Sequence, residues 1–260
     1  MIVSQHVLPV FLGLLGLVLG SAVSALAYRL PLGISWIRGR SACPSCGTQL
    51  TARDLVPLVS FALARGRCRH CGAPVRWRYP LTELISAAWL VLLHLHVGLG
   101  WAYPLLVLWG LMLVTLMWID LDHQLLPDAL TFPGTLIGIA AALQWPGGAR
   151  HALLGVAVGS GILWLLAWSY WKLRRVEGMG GGDIKLAAMF GAVLGWQQSL
   201  LTLFLAAAAG SVWGAVLMVR GRGDRRTALP FGTLLAPAAM VAFLWGNDLL
   251  WTYWSLFTRR

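Results

Sequence analysis

Acidic residues are scarce in this chain: nine Asp and Glu stand among 260 residues, and charged residues of both signs make up only 11%. That excludes an ordinary soluble globular domain, in which about a quarter of residues are charged. Cysteine is confined to four residues between positions 43 and 71, which excludes a disulfide framework spread over the fold. No Gly-x-Gly-x-x-Gly fingerprint occurs, so no dinucleotide-type cofactor site is legible. There is no internal repeat, no low-complexity linker, and no basic residue ahead of the first apolar run at Val7. With Arg29 following that long run, Ala25-Leu26-Ala27 reads as part of an uncleaved anchor rather than a signal-peptide cleavage site.

What is abundant is apolar sequence. Hydrophobic residues reach 58%, with 15 Trp, and at about 20 residues per helical crossing this predicts an all-α polytopic membrane protein. The apolar runs are Val7–Ala27, Leu81–Val97, Tyr103–Ile119, Leu130–Trp145, Ala152–Trp171, Ile184–Leu194, Leu200–Val219 and Phe231–Trp251, giving about eight transmembrane helices with the sixth short or tilted. Seventeen of the 20 Lys and Arg lie in, or like Lys185 directly flank, the loops between runs one and two, five and six, and seven and eight. By the positive-inside tendency those loops face the cytoplasm and both termini lie outside. Arg259 and Arg260 are a mild counter-signal. The net charge of +11 then reads as topology and attraction to anionic lipid, not as nucleic-acid binding. Trp101, Trp145, Trp171, Trp196 and Trp251, near run ends, read as interfacial anchors.

The chain divides into a first transmembrane helix at 1–27, a polar segment at 28–80 and a membrane core at 81–260. The polar segment carries two Cys-x-x-Cys-Gly knuckles, Cys43-Pro44-Ser45-Cys46-Gly47 and Cys68-Arg69-His70-Cys71-Gly72, separated by 21 residues. Four thiolates from two knuckles satisfy a tetrahedral structural zinc site with no position left for a reacting water. Two disulfides and four free thiols are the alternatives, and a cytoplasmic location disfavours the disulfides. His70, between the last two ligands, reads as solvent-facing.

With so few acids, each can be placed. Asp54, Glu83, Glu177, Asp224 and Asp248 read as solvated or paired charges in basic loops or at helix edges. Asp120, Asp122 and Asp128 lie in "WIDLDHQLLPDALT", where the third run meets the fourth, and Asp183 ends "EGMGGGDIKL" before the sixth. Ionisable groups at the edge of hydrocarbon are costly and commonly functional. The bland alternatives are helix-end roles: Asp128 behind Pro127 in a first turn, and Asp183 as a cap. Asp128 takes that alternative, whereas a cap does not require the glycines ahead of Asp183. Two carboxylates sharing a proton can activate water and protonate a leaving group, and an extended, side-chain-free backbone at Gly180-Gly181-Gly182 can admit and pair with a substrate chain. Spacing alone does not choose between Asp120 and Asp122. His123 reads as a loop residue; His94, His96 and His151 read as interfacial residues, without a second ligand at helical spacing.

These blocks together resemble the type IV prepilin peptidases, or prepilin leader peptidase/N-methyltransferases, membrane aspartyl proteases with a Gly-x-Gly-Asp signature. The resemblance rests on Tyr28–Pro31 ("YRLP"), both knuckles, Arg65–Glu83, Ile119–Thr131 and Gly180–Leu186, in order over nearly the whole chain. Gly181 departs from the family, whose members often carry a larger residue there. The resemblance implies a catalytic pair of Asp120 and Asp183, and substrates that are type IV prepilins or type II secretion pseudopilins, cut after a glycine on the cytoplasmic side of the bacterial inner membrane. It also implies N-methylation of the new N-terminus from S-adenosylmethionine, with the cysteine segment a platform for substrate or methyl donor. A transporter would place its acids near mid-membrane on related halves; a zinc-dependent scaffold would leave the glycine–aspartate block without a role.

Overall fold

The structure is a computed structural model that describes residues 2–35, 39–176, 178–221 and 229–258, with side chains described from Val7 to Leu256 within those limits. Glu177 and Asp224 lie outside the described residues, as do Arg38, Arg222, Arg225, Arg226, Arg259 and Arg260. The elements are α1 (Ile2–Arg29), a 3-10 turn (Ala52–Leu55), α2 (Val59–Leu63), α3 (Arg78–Val97), α4 (Tyr103–His123), α5 (Asp128–Ala142), α6 (Gly148–Arg174), α7 (Gly181–Val219) and α8 (Gly232–Thr258). Among the described residues there is no strand, only two isolated bridges.

The chain separates into two compact units, one of residues 1–100 with the α4 turn 110–115, the other of 101–109 and 116–260. In the first, α1 packs along α3 through small residues. A methyl group added at Gly16 would sit 2.5 Å from the Ala87 Cα, and one at Gly20 2.6 Å from the Glu83 Cα. Close backbone approach of this kind drives helix pairing where lipid supplies no hydrophobic force. The opposite face of α1 exposes Val10, Phe11, Leu14 and Val18, the pattern of a helix solvated by acyl chains. Trp89, Leu90 and Leu93 of α3 are buried, and the Trp89 indole fills the space above Gly110.

In the second unit the run Leu186–Gly195 is almost wholly buried. Its continuous apolarity therefore marks a helix enclosed on all sides. Trp109 of α4 donates to the Met189 carbonyl at 3.2 Å, Gly134 and Gly138 of α5 lie against Met189 and Ala192, and Gly155 and Gly159 of α6 lie against Gly191 and Ala187. Although α7 spans 39 residues, Gly195 interrupts it with φ 69° and ψ −178°. Gly159 faces both Ala187 and Ser199, residues that a straight helix would hold about 18 Å apart. The chain thus folds back at Gly195. The two limbs of α7 correspond to the separately expected runs Ile184–Leu194 and Leu200–Val219.

Among the described residues, six helices are long and apolar enough to cross a membrane: α1 from Val7, α3, α4, α6, α7 and α8, the last over Gly232–Leu256. This is a multi-pass membrane protein. The fourth expected crossing, α5, has 15 residues, about 22 Å of helix. It is short of the roughly 30 Å hydrocarbon core. His151, expected at an interface, lays its imidazole on the Gly195 backbone. The fold-back removes every side chain from that spot, and the ring fills it.

Candidate active site

The two cysteine knuckles repeat one geometry. The Cys43 amide donates to the Thr48 carbonyl and the Gly47 amide to the Cys43 carbonyl; the Cys68 amide donates to Ala73 and the Gly72 amide to Cys68. Gly47 and Gly72 both hold φ 71°, a left-handed turn that favours glycine. All four cysteines are free thiols, and their sulfurs lie within 4.8 Å of one another, with Cys43 and Cys71 3.9 Å apart. Tetrahedral ligation at a Zn–S distance of about 2.3 Å needs sulfurs about 3.8 Å apart. The donor set fits a metal ion.

The electrostatics of this cluster agree. The amides of Cys46 and then Ser45 hold the Cys43 thiol below its ordinary value, those of Cys71 and His70 do the same for Cys68, and the hydroxyl and amide of Thr48 for Cys46. At Cys71 the Ala73 amide also pulls downward, but desolvation and the other three sulfurs outweigh it and push the thiol up to about 11. Without a cation, the fourth negative charge has no place. Exposed His70 stands outside this set. Asp54 closes the second knuckle: it accepts from the Thr51 hydroxyl and amide at 2.7 and 3.0 Å, which depress its pKa, and pairs with Arg69 at 3.7 Å. Glu83 departs from the expected solvated charge. It is buried in the first turns of α3, with Oε2 accepting the Leu58 amide at 2.8 Å.

The acids of the membrane core sort themselves by burial. Asp120, in the last turn of α4, is 5% exposed; Asp122 is exposed, because two residues of helix turn it about 200° away. Asp120 Oδ2 accepts the Thr233 amide at 2.6 Å and the Thr233 hydroxyl at 3.0 Å, so it receives the N-terminus of α8. A helix N-terminus presents unpaired amides to an anion. Asp183 lies in the first turn of α7, directly after Gly182.

Leu126 links the segment that carries Asp183 to the surroundings of Asp120. A methyl added at Gly182 would lie 2.9 Å from the Leu126 Cβ, and one at Gly232 3.0 Å from both Leu126 Cδ1 and Asp120 Cγ. Three chain segments converge on one buried leucine. The glycine run, expected to be extended, is extended only to Gly180 (φ −71°, ψ 143°); Gly181 and Gly182 already belong to the helix. In that first helical turn Gly182 seats on Leu126.

Sequence reasoning assigned Asp128 to a helix first turn, and α5 does begin there. The reasoning missed its partner: Lys185 Nζ reaches both Asp128 oxygens, at 2.6 and 2.9 Å. It also missed Gly232 and Thr233, whose visible signal was the Pro-Phe-Gly stretch opening the last apolar run. His123 ends α4, exposed, and Asp248 is exposed.

A bundle of apolar helices with Asp120 and Asp183 at helix ends, not at mid-helix, defines a polytopic membrane protein. Residues 14–97 match the family model of the bacterial peptidase A24 N-terminal domain, and residues 105–215 match that of the type IV leader peptidase family. The chain is 35% identical to a prepilin leader peptidase/N-methyltransferase of Stutzerimonas stutzeri, over 92% of this chain and 91% of the relative. The Pseudomonas aeruginosa relative of the same name is 36% identical over the same shares, and that of Aeromonas hydrophila 39% identical over 84% of this chain and 74% of its own. No solved structure matches. The chain belongs to the type IV leader peptidase family.

Proposed function

We propose that this protein removes the short basic leader of type IV prepilins or type II secretion pseudopilins, with Asp120 and Asp183 as the catalytic pair, and then methylates the new N-terminus. The observation that carries the reading is that Gly182, directly before Asp183, and Gly232, which lies against Asp120, both seat on the single side chain of Leu126, although the two acids are 63 positions apart in sequence. One carboxylate takes a proton from water as the water oxygen attacks the scissile carbonyl carbon; the other gives its proton to the carbonyl oxygen. The tetrahedral intermediate then collapses, the first acid protonating the departing amide nitrogen while the second recovers its proton. The Gly180–Gly182 backbone is the approach for the substrate chain.

The segment 28–80 is a cytoplasmic domain closed by one structural zinc on Cys43, Cys46, Cys68 and Cys71, and 81–260 is the protease core behind the first helix at 1–27. All eight apolar segments, counting α5 and each limb of α7, cross the bacterial inner membrane, with the acid pair and the zinc domain facing the cytoplasm. The methyl donor is S-adenosylmethionine by the name and chemistry of the relatives; no residue is assigned to it. The fold-back at Gly195 and the 14-residue first limb support the crossing count, since a helix buried on all sides tolerates a span shorter than the bilayer.

The test is cleavage of a prepilin with glycine before its apolar helix, by purified protein in lipid, for wild type, Asp120→Asn and Asp183→Asn. Both variants lose cleavage by at least about a thousandfold, while melting temperature and zinc content hold. Undiminished cleavage by either refutes the pair, and Asp122 becomes the next acid to replace.

A further inference from the structure

We propose that Asp128 and Lys185 are positioning residues: their ion pair fixes the first turn of α7 on the α4–α5 connection and so aims Asp183 at Asp120. The inference rests on the acid-pair reading above and adds what holds that pair in register.

The need for such a device comes from the glycines. Nothing lies within 4 Å of a methyl added at Gly181, and the only neighbour at Gly180 is the Gly182 amide nitrogen at 4.0 Å. The chain entering Asp183 therefore has no side chain by which to locate it, and glycine leaves the backbone its widest freedom. Asp183 is located by the seat of Gly182 on Leu126 and by the residues that follow. Lys185 is the first of these with a long polar side chain, and at about 100° per residue it points some 200° away from Asp183. Lys185 thus reaches away from the Asp183 side of the helix and closes on both oxygens of Asp128. Its ammonium also lies 5.5 Å from the centre of the Phe132 ring, one turn along α5.

Asp128 is in turn tied to Asp120. Four residues separate α4 from α5: the Gln124 amide donates to the Asp120 carbonyl at 2.8 Å, Gln124 takes φ 51°, and Leu126 is buried. Lys185 thus measures its position against a connection that begins at Asp120 itself. The pair is half-exposed, 40% at Lys185 and 53% at Asp128. Ion pairs of that exposure add little to global stability. Its effect is on geometry.

The experiment uses the full chain in lipid vesicles with a prepilin peptide, and compares Asp128→Asn, Lys185→Met, the double variant, Lys185→Arg and Asp183→Asn. Each single change is expected to lower kcat about tenfold with KM within twofold, since small misplacements of a reacting group cost that order of rate. The double variant should be no worse than either single, the mark of two residues acting as one contact, and Lys185→Arg should stay within about threefold of wild type. Unchanged kcat in either single, a multiplicative loss in the double, a KM rise confined to Lys185→Met, or inactivity of a normally melting Lys185→Arg each overturns the proposal; the KM result would mean that Lys185 touches substrate. If Asp183→Asn still cleaves, the acid-pair reading falls and this proposal with it. If Asp183→Asn is inactive while both neutralised variants match wild type, only the positioning role falls.

Discussion

At the scale of single residues, neighbouring glycines in one motif have opposite duties. Gly182 is small because Leu126 occupies the space a side chain would need, at 2.9 Å, whereas Gly181 looks into open space. Gly182→Ala should therefore push the first turn of α7 off Leu126 and lower kcat roughly a hundredfold, while Gly181→Ala should change it less than about threefold. Steady-state cleavage of a prepilin by the two variants checks this. Equal losses would show that the motif needs backbone freedom, not close packing.

Among elements, the fold-back of α7 and the cysteine knuckles make separable predictions. Gly195 holds φ 69° with ψ −178° under the His151 ring, a conformation essentially reserved for glycine. Gly195→Ala should cost about 1–3 kcal/mol of stability and lower the melting temperature in detergent, and His151→Ala should not rescue it, because the backbone strain remains. The knuckles titrate differently. Three thiols are held low and Cys71 is pushed up to about 11 without metal. Zinc binding at neutral pH must therefore expel at least the Cys71 proton, and affinity falls as pH drops. A competition titration with a zinc chelator should show affinity rising with pH between 6 and 8, roughly tenfold per unit for each proton released. Cys43→Ser should cut bound zinc below one per chain and loosen the segment to protease without removing a group from the cleavage step.

Over the whole molecule, the orientation reading predicts that a tag at either terminus is reached from outside the cell, and that the cysteine knuckles are reached only after the membrane is opened. Impermeant labelling of tags and thiols on intact and lysed cells tests it. Termini labelled only after lysis would reverse the orientation and place the acid pair on the wrong face for a cytoplasmic leader.

The sequence by itself determined the membrane class, the family and the cysteine cluster, because each is written in local composition or in short spacings: runs of apolar residues, two identical knuckles, an acid behind a glycine run. It also separated the two limbs of α7, since their apolar runs are interrupted at Gly195 to Ser199. Tertiary structure alone decided which acid of Asp120 and Asp122 is buried, that Asp128 pairs with Lys185, that Glu83 is enclosed, and that Gly232 and Thr233 close over Asp120. Those facts depend on which helix ends meet. Residues 57 and 113 positions apart cannot announce a contact through any local pattern, and a helix turns neighbouring acids to different faces only once a neighbour defines what a face is.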